Sequence, residues 1–323
     1  MPKQRVLLVG AAGETGKHIL EGLLEDGAFE VTCFVRKASQ DKPGTKSLQD
    51  RRVKVVLGDL DGPISDVIEL LQDIDIVISC LTPAALRSQL PLIDAAVKAR
   101  VQRFVPCHWG TPSARGIAAL KDLKEDIDDS MFRQRLGFTI IDVGFWYQAS
   151  IPRVPSGRFD DAIFLPANEI YAGGRTPNML IDVRDVGRIT AKIVGDARTL
   201  NKRVIAYGAV LSQNEIQTII EEKSGEKLEL TTISDEEALA TLNARKKALE
   251  AIPHDKSSRL LLAAAQYAIT KYVRGDNTPE NAEYLGYVNA RDLFPDFRYT
   301  SFAEFVNDLT AGKIRKPYSH VQM

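Results

Sequence analysis

The sequence predicts an α/β fold: a doubly wound parallel sheet followed by a smaller, mainly helical C-terminal lobe. Three observations carry this. Short, unbroken apolar runs alternate with segments of helical spacing through the first half. Such runs suit parallel strands, whose two faces are both covered by helices. A glycine cluster lies at the first strand-to-helix junction, and after about residue 145 the alternation stops.

Taken in order, Val6-Leu7-Leu8-Val9 reads as the first strand, and residues 14–26 carry Ile19, Leu20, Leu23 and Leu24 at helical spacing. Val31 to Val35 is a second strand and Val53 to Leu57 a third. A helix over 64–72 leads to a fourth strand, Asp75 to Cys80. The crossover helix Leu90 to Lys98 leads to a fifth, Arg103 to Pro106. A helix over 119–135 then precedes a sixth strand, Phe138 to Val143. Regular alternation of this kind is the Rossmann-type pattern. Beyond it, Pro152, Pro155 and Gly157 break the periodicity. Short strands are expected at 163–165, 170–172 and 203–207. Helices are expected at 184–196, 213–223, 234–249, 257–273 and 301–311. The division is a nucleotide-binding domain over 1–150 and a substrate lobe over 151–323, with some segments returning to the sheet.

Composition narrows the function. With 42 Lys plus Arg against 43 Asp plus Glu in 323 residues, the net charge of −1 lacks the basic excess that nucleic-acid binding needs. The longest apolar stretch, Leu260 to Ile269, is closed by Arg259 and Lys271, too short for a membrane span. Met1-Pro2-Lys3-Gln4-Arg5 runs straight into a strand, which predicts no secretory leader. Cys33, Cys80 and Cys107 are sparse and odd in number, which fits a reducing, cytoplasmic setting. No CxxC or comparable ligand spacing occurs, so no metal site is expected.

Gly10-Ala11-Ala12-Gly13-Glu14-Thr15-Gly16 joins the first strand to the first helix. In that setting glycines permit a tight turn, close approach to a pyrophosphate and close helix packing, while the helix N-terminus favours the anion. Ala12, Glu14 and Thr15 fall within the same grip. The second strand is followed by Arg36 and Lys37 instead of a carboxylate. Basic residues there neutralise a ribose 2′-phosphate, which selects NADP(H) over NAD(H). Asp59, after the third strand, falls near the adenine. Leu81 and Thr82, after the fourth, fall near the adjoining ribose and pyrophosphate.

The glycine motif, Arg36, and the run Arg103-Phe104-Val105-Pro106-Cys107-His108-Trp109-Gly110 together resemble the isoflavone reductase-like and phenylcoumaran benzylic ether reductase group of NmrA-like atypical short-chain dehydrogenases. Asp182 to Gly187, Leu211 to Glu215 and Phe294 to Thr300 extend the resemblance over nearly the whole chain. It implies an NADPH-dependent reductase of an aromatic or heterocyclic secondary metabolite. It places the general acid–base lysine at Lys124, with Lys121 one turn earlier as the fallback. Cys107-His108-Trp109-Gly110 departs from the Ser-Glu-Phe-Gly usual in plant members, and a fungal natural-product enzyme would suit that departure. The chain is expected to act as a monomer or homodimer.

Hydride transfer leaves negative charge on the acceptor, which a proton donor must quench. Lys124 and His108 are the two candidates. Cys107 and Lys124 are also expected among the residues that bind the cofactor. Trp109, Phe145, Trp146 and Tyr147 are candidates for an aromatic wall against a flat substrate. A transient, redox-neutral use of the cofactor in isomerisation or cyclisation is an alternative, as is a non-enzymatic NADP(H) sensor. Tyr267 and Lys271 repeat the YxxxK spacing of tyrosine-dependent dehydrogenases, but too late in the chain; Tyr267 reads as packing and Lys271 as surface.

Overall fold

The computed structural model describes residues 2–51, 53–164, 167–253 and 255–318. Its first half alternates β1 (Gln4–Val9), α1 (Glu14–Asp26), β2 (Phe29–Arg36), α2 (Pro43–Asp50), β3 (Lys54–Gly58), α3 (Ile64–Leu71), β4 (Ile76–Ser79), α4 (Gln89–Lys98) and β5 (Arg103–Val105). These strands form a parallel sheet in the order 3-2-1-4-5. Val9 pairs with Phe34 on one side and Ser79 on the other. The carboxyl ends of β1, β2 and β4 therefore finish level, at the point where the strand order reverses, which is where ligands bind in open α/β sheets.

Next come α5 (Ala119–Arg133) and β6 (Thr139–Asp142), and a single parallel bridge, Phe104 to Phe138, joins β5 to the start of this segment. The second half supplies α6 (Val183–Gly195), β10 (Lys202–Ile205) and β13 (Tyr287–Asn289), with β10 parallel to both β6 and β13. The chain thus returns twice to extend the sheet. Helix α6 crosses α1 so closely that a Cβ on Gly22 would overlap the Gly187 backbone. Helix α1 also buries Ile19, Leu20 and Leu23 in the core cluster that holds β1, each worth about 1.5–3 kcal/mol relative to exposure.

The rest of the second half is a lobe. One small sheet holds β7 (Phe145–Trp146), β9 (Asn178–Ile181) and β11 (Ala209–Leu211). A second pairs β8 (Glu169–Tyr171) with β12 (Thr231–Ile233). Helices α7 (Gln213–Ser224), α8 (Asp235–Ala251), α9 (Lys256–Ala268), α10 (Pro279–Tyr284), α11 (Ala290–Leu293) and α12 (Phe302–Thr310) complete it. Capping boxes at Ser212, Ser234 and Ser301 start α7, α8 and α12.

Two expectations need correction. No strand forms at Ile163 and Phe164, and residue 165 lies outside the described residues. The single helix expected over 257–273 is instead α9 followed by a π-helical turn, Ile269–Val273. The junction, Tyr267-Ala268-Ile269-Thr270-Lys271, holds no glycine or proline that would mark a change in winding.

Candidate active site

The glycine loop is shaped for an anion. Gly10 has φ +86°, and a Cβ there would strike the Cys80 carbonyl. A Cβ on Gly16 would strike the Gly10 carbonyl, whereas one on Gly13 would stand 3.2 Å from it. Helix α1 starts after Gly13 with no side chain capping its free N–H groups. An uncapped helix start at a sheet's switch point offers those donors to a phosphate. Ala12 and Thr15 are half-buried beside it. Arg36 and Lys37 stand exposed at the end of β2, and neither pairs with a carboxylate among the described residues. Asp59 is exposed and accepts the Asp61 N–H in a turn of its own. Thr82 is exposed at the head of a short 3-10 helix over 83–88. These features fit a dinucleotide whose 2′-phosphate meets Arg36 and Lys37.

Glu14 is buried at the first turn of α1. Burial alone would raise its pKa, but His18, Lys17 and the Tyr318 N–H override this and hold it at about 2. Lys17 lies 2.6 Å away and the Tyr318 N–H donates across 3.0 Å. The tail thereby reaches from the lobe to the phosphate loop. Tyr318 stacks on Trp146, with centroids 6.2 Å apart and planes at 21°, and sits 5.0 Å from the Phe164 ring. No pattern in the sequence singled out Tyr318, because its partners lie far away in the chain.

The proton-bearing groups gather where β5 and β6 end. Cys107 Sγ donates to the Leu81 carbonyl at 3.1 Å, and its backbone N–H donates to Gln89. Burial pushes the Cys107 thiol up to about 11, against the pull of Lys124. Lys124, on α5, is buried and its ammonium donates to the His108 carbonyl. Among the described residues it has no carboxylate partner. Lys121, one turn earlier, lies 3.1 Å from Glu125 and 3.4 Å from Asp142. Burial opposes its charge, yet Asp142, Tyr287 and Glu125 raise its pKa well above the ordinary value. One lysine is therefore a locked cation and the other is held only by a backbone oxygen.

The His108 ring lies between two carboxylates. Nε2 is 3.1 Å from Asp128, and Nδ1 is 3.5 Å from Asp142, longer than a well-formed hydrogen bond. The side chain is 1% exposed, so it faces protein, not open space. Asp142 also accepts the Tyr287 hydroxyl at 2.6 Å and the Gly110 N–H at 3.1 Å. Burial would raise its pKa, but Lys121 foremost, with His108 and Lys124, holds it well below the usual carboxylate range. The sequence offered one weak signal for Asp142: a lone carboxylate at the end of an otherwise apolar strand.

The four aromatic candidates divide. Trp109 is buried in the sheet core with φ +46°, and its indole N–H donates to the Ser79 carbonyl at 2.9 Å. Tyr147 is fully buried between Phe302 and Phe305, and its hydroxyl donates to the Thr300 carbonyl at 3.1 Å. Their polar tips are thus already satisfied inside the two cores, which turns both rings away from a substrate wall. Phe145 and Trp146 remain half-buried at the exit of β6. Tyr267 adjoins Phe145, with ring centroids 6.5 Å apart. Its hydroxyl and the Lys124 ammonium both stand 3.6 Å from where a Gly110 Cβ would be. Tyr267 and Thr270 line one small cavity with Lys121, Lys124 and Asp142. Lys271, expected at the surface, is buried. The π-helical turn carries it inward, and four residues of spacing could not reveal that.

The chain matches the model of the NmrA-like family over residues 2–306. It is 36% identical over 312 residues to the asnovolin J 5',6'-dehydrogenase nvfM of Aspergillus novofumigatus, covering 95% of each chain. It is 25% identical to the probable pinoresinol-lariciresinol reductase 3 of Arabidopsis thaliana, covering 95% of this chain and 98% of that one. Two solved structures share its fold. AtPrR2 with NADP+ and (+)pinoresinol matches with a TM-score of 0.77 at 24% identity, over 96% of this chain and 99% of that one. The leucoanthocyanidin reductase–NADPH complex from Vitis vinifera matches with a TM-score of 0.78 at 20% identity, over 95% and 99%.

Proposed function

The chain belongs to the NmrA-like family, and from that premise we propose that it is an NADP(H)-dependent oxidoreductase of a ring-bearing secondary metabolite, with Lys124 as the proton-transferring group. When bound, the dinucleotide supplies or accepts the hydride. The uncapped start of α1 holds its pyrophosphate, and Arg36 with Lys37 holds the 2′-phosphate. Phe145 and Trp146 offer π-faces to a flat or cyclic substrate.

The observation that carries the reading is the contrast between the two lysines of α5. Lys121 is bound by carboxylates and keeps its proton. Among the described residues Lys124 is bound only by the His108 carbonyl, so its ammonium can turn toward a substrate oxygen or carbon and give up a proton there. His108 acts as a positioning residue: its carbonyl orients Lys124, and its ring braces Asp128 and Asp142. The relatives' names support redox chemistry on cyclic natural products, in either direction.

The test pairs binding with turnover. NADPH should bind the wild type more tightly than NADH by roughly tenfold or more, and Arg36→Asp should erase that margin. Lys124→Met should lower turnover of a cyclic enone and aromatic panel by roughly 10²–10⁴-fold while leaving NADPH affinity unchanged. Equal binding of the two dinucleotides, or full activity in Lys124→Met, overturns the assignment. Consumption of one NADPH per product separates net reduction from redox-neutral rearrangement.

A further inference from the structure

A third buried lysine meets Phe145 from the lobe, and among the described residues no carboxylate pairs with it. Lys271 sits on the π-helical turn that continues α9, a winding that recurs at functional sites. Its Nζ stands 3.3 Å over the Phe145 ring centroid and 4.6 Å from that of Tyr272, and donates to the Tyr272 hydroxyl at 3.2 Å. Tyr171 stacks on Tyr272, and its hydroxyl donates a hydrogen bond to Glu169. Arg274 and Asp276, the next charges along the chain, pair with each other at 2.8 Å. Among the described residues no carboxylate lies within ion-pairing distance of Lys271. One helical turn back on the same face is Tyr267, which adjoins Phe145 and lines the Lys124 cavity.

Aromatic faces attract an ammonium, but a fully desolvated cation without a carboxylate is poorly compensated. Burial alone lowers the Lys271 pKa to about 7. The amine is then partly neutral, and an arriving anion would favour its charged form.

We propose that Lys271 is the lobe's substrate anchor and takes an acidic oxygen (a carboxylate, a phenolate or an enolised dicarbonyl) of a ring system seated against Phe145. The inference rests on reading this cleft as the substrate site, as the proposed function does. It adds a substrate class: rings carrying an ionisable oxygen remote from the position that Lys124 serves.

Calorimetric titration of the NADP+-loaded protein with naphthoate and with its uncharged methyl ester tests this. Naphthoate should bind the wild type about tenfold more tightly than the ester. Lys271→Met should abolish that preference without changing ester affinity, and Lys271→Arg should retain part of it. At about pH 8, naphthoate binding should take up protons in the wild type and not in Lys271→Met, when compared across buffers of different ionisation heat. A merely structural lysine would produce no such uptake. Equal affinity for acid and ester, a preference that survives in Lys271→Met, or binding without proton uptake overturns the proposal. Its failure is separable from failure of the cofactor reading. A protein that binds NADPH and turns over without acid preference refutes only the anchor. One that binds no dinucleotide refutes the function, while titration without NADP+ still reports on Lys271.

Discussion

The two walls of the cleft manage positive charge in opposite ways. On the sheet side, Lys121 and Arg203 are met by Asp142, Asp128 and Glu125, with the His108 ring set between Asp128 and Asp142. On the lobe side, Lys271 meets aromatic rings and the Tyr272 hydroxyl, and among the described residues no carboxylate. The paired wall is built to stay put. On our proposal, the unpaired one takes an anion. Lys124 stands between them, anchored to the sheet by a carbonyl yet free of any described carboxylate.

If the lattice is what fixes the sheet wall, the largest effect belongs to Asp142→Asn. The change leaves Lys121 buried beside a neutral amide and replaces the charged acceptor of the Tyr287 hydroxyl with a neutral one. It should destabilise the protein by about 3–5 kcal/mol in urea unfolding. Because the folded pKa of Asp142 lies below its unfolded value, its contribution is complete above about pH 4 and drains as the pH falls further. Asp142→Asn should accordingly flatten the acid limb of the stability curve. Unchanged stability would mean that the carboxylates decorate this wall without holding it.

Lys271→Met should act in the opposite direction, by roughly 1–3 kcal/mol. The folded pKa of Lys271 is lowered, so below about pH 7 the amine is charged in both states and its burial cost is complete. That cost fades as the pH rises from there toward the ordinary lysine value. Removing the amine should therefore raise the melting temperature most at and below neutral pH, with the gain shrinking above it. A variant that melts lower at every pH would place Lys271 among the packing residues.

The smallest effect belongs to Tyr318→Ala. Loss of an aromatic pair costs about 0.5–1.5 kcal/mol locally. Of the two tryptophans, Trp109 is buried in the sheet core and Trp146 carries the Tyr318 ring. Emission should therefore shift to the red through Trp146, with KM for a ring-bearing substrate rising and unfolding hardly changed. An unaltered spectrum would detach the tail from the cleft.

Sequence and structure divide the credit along a physical line. The glycine loop and the alternation of strands and helices were legible because each depends on neighbours within one turn or one strand, whereas Lys124 was singled out only by the family resemblance. Backbone φ at Gly10, the apolar continuity of β1 and the helical spacing after it are local properties. What separated Lys121 from Lys124, and Lys271 from the surface, was not local. Asp142 lies 21 residues beyond Lys121, and Tyr287 lies 166 beyond it. The cover over Lys271 comes from Phe145, on β7, far back in the chain. Periodicity places a lysine on a helix face; only the folded chain decides whether that face meets a carboxylate, a carbonyl or an aromatic ring. The charge state of each lysine follows from that encounter, because desolvation and pairing act over a few ångströms of space and take no account of distance along the chain.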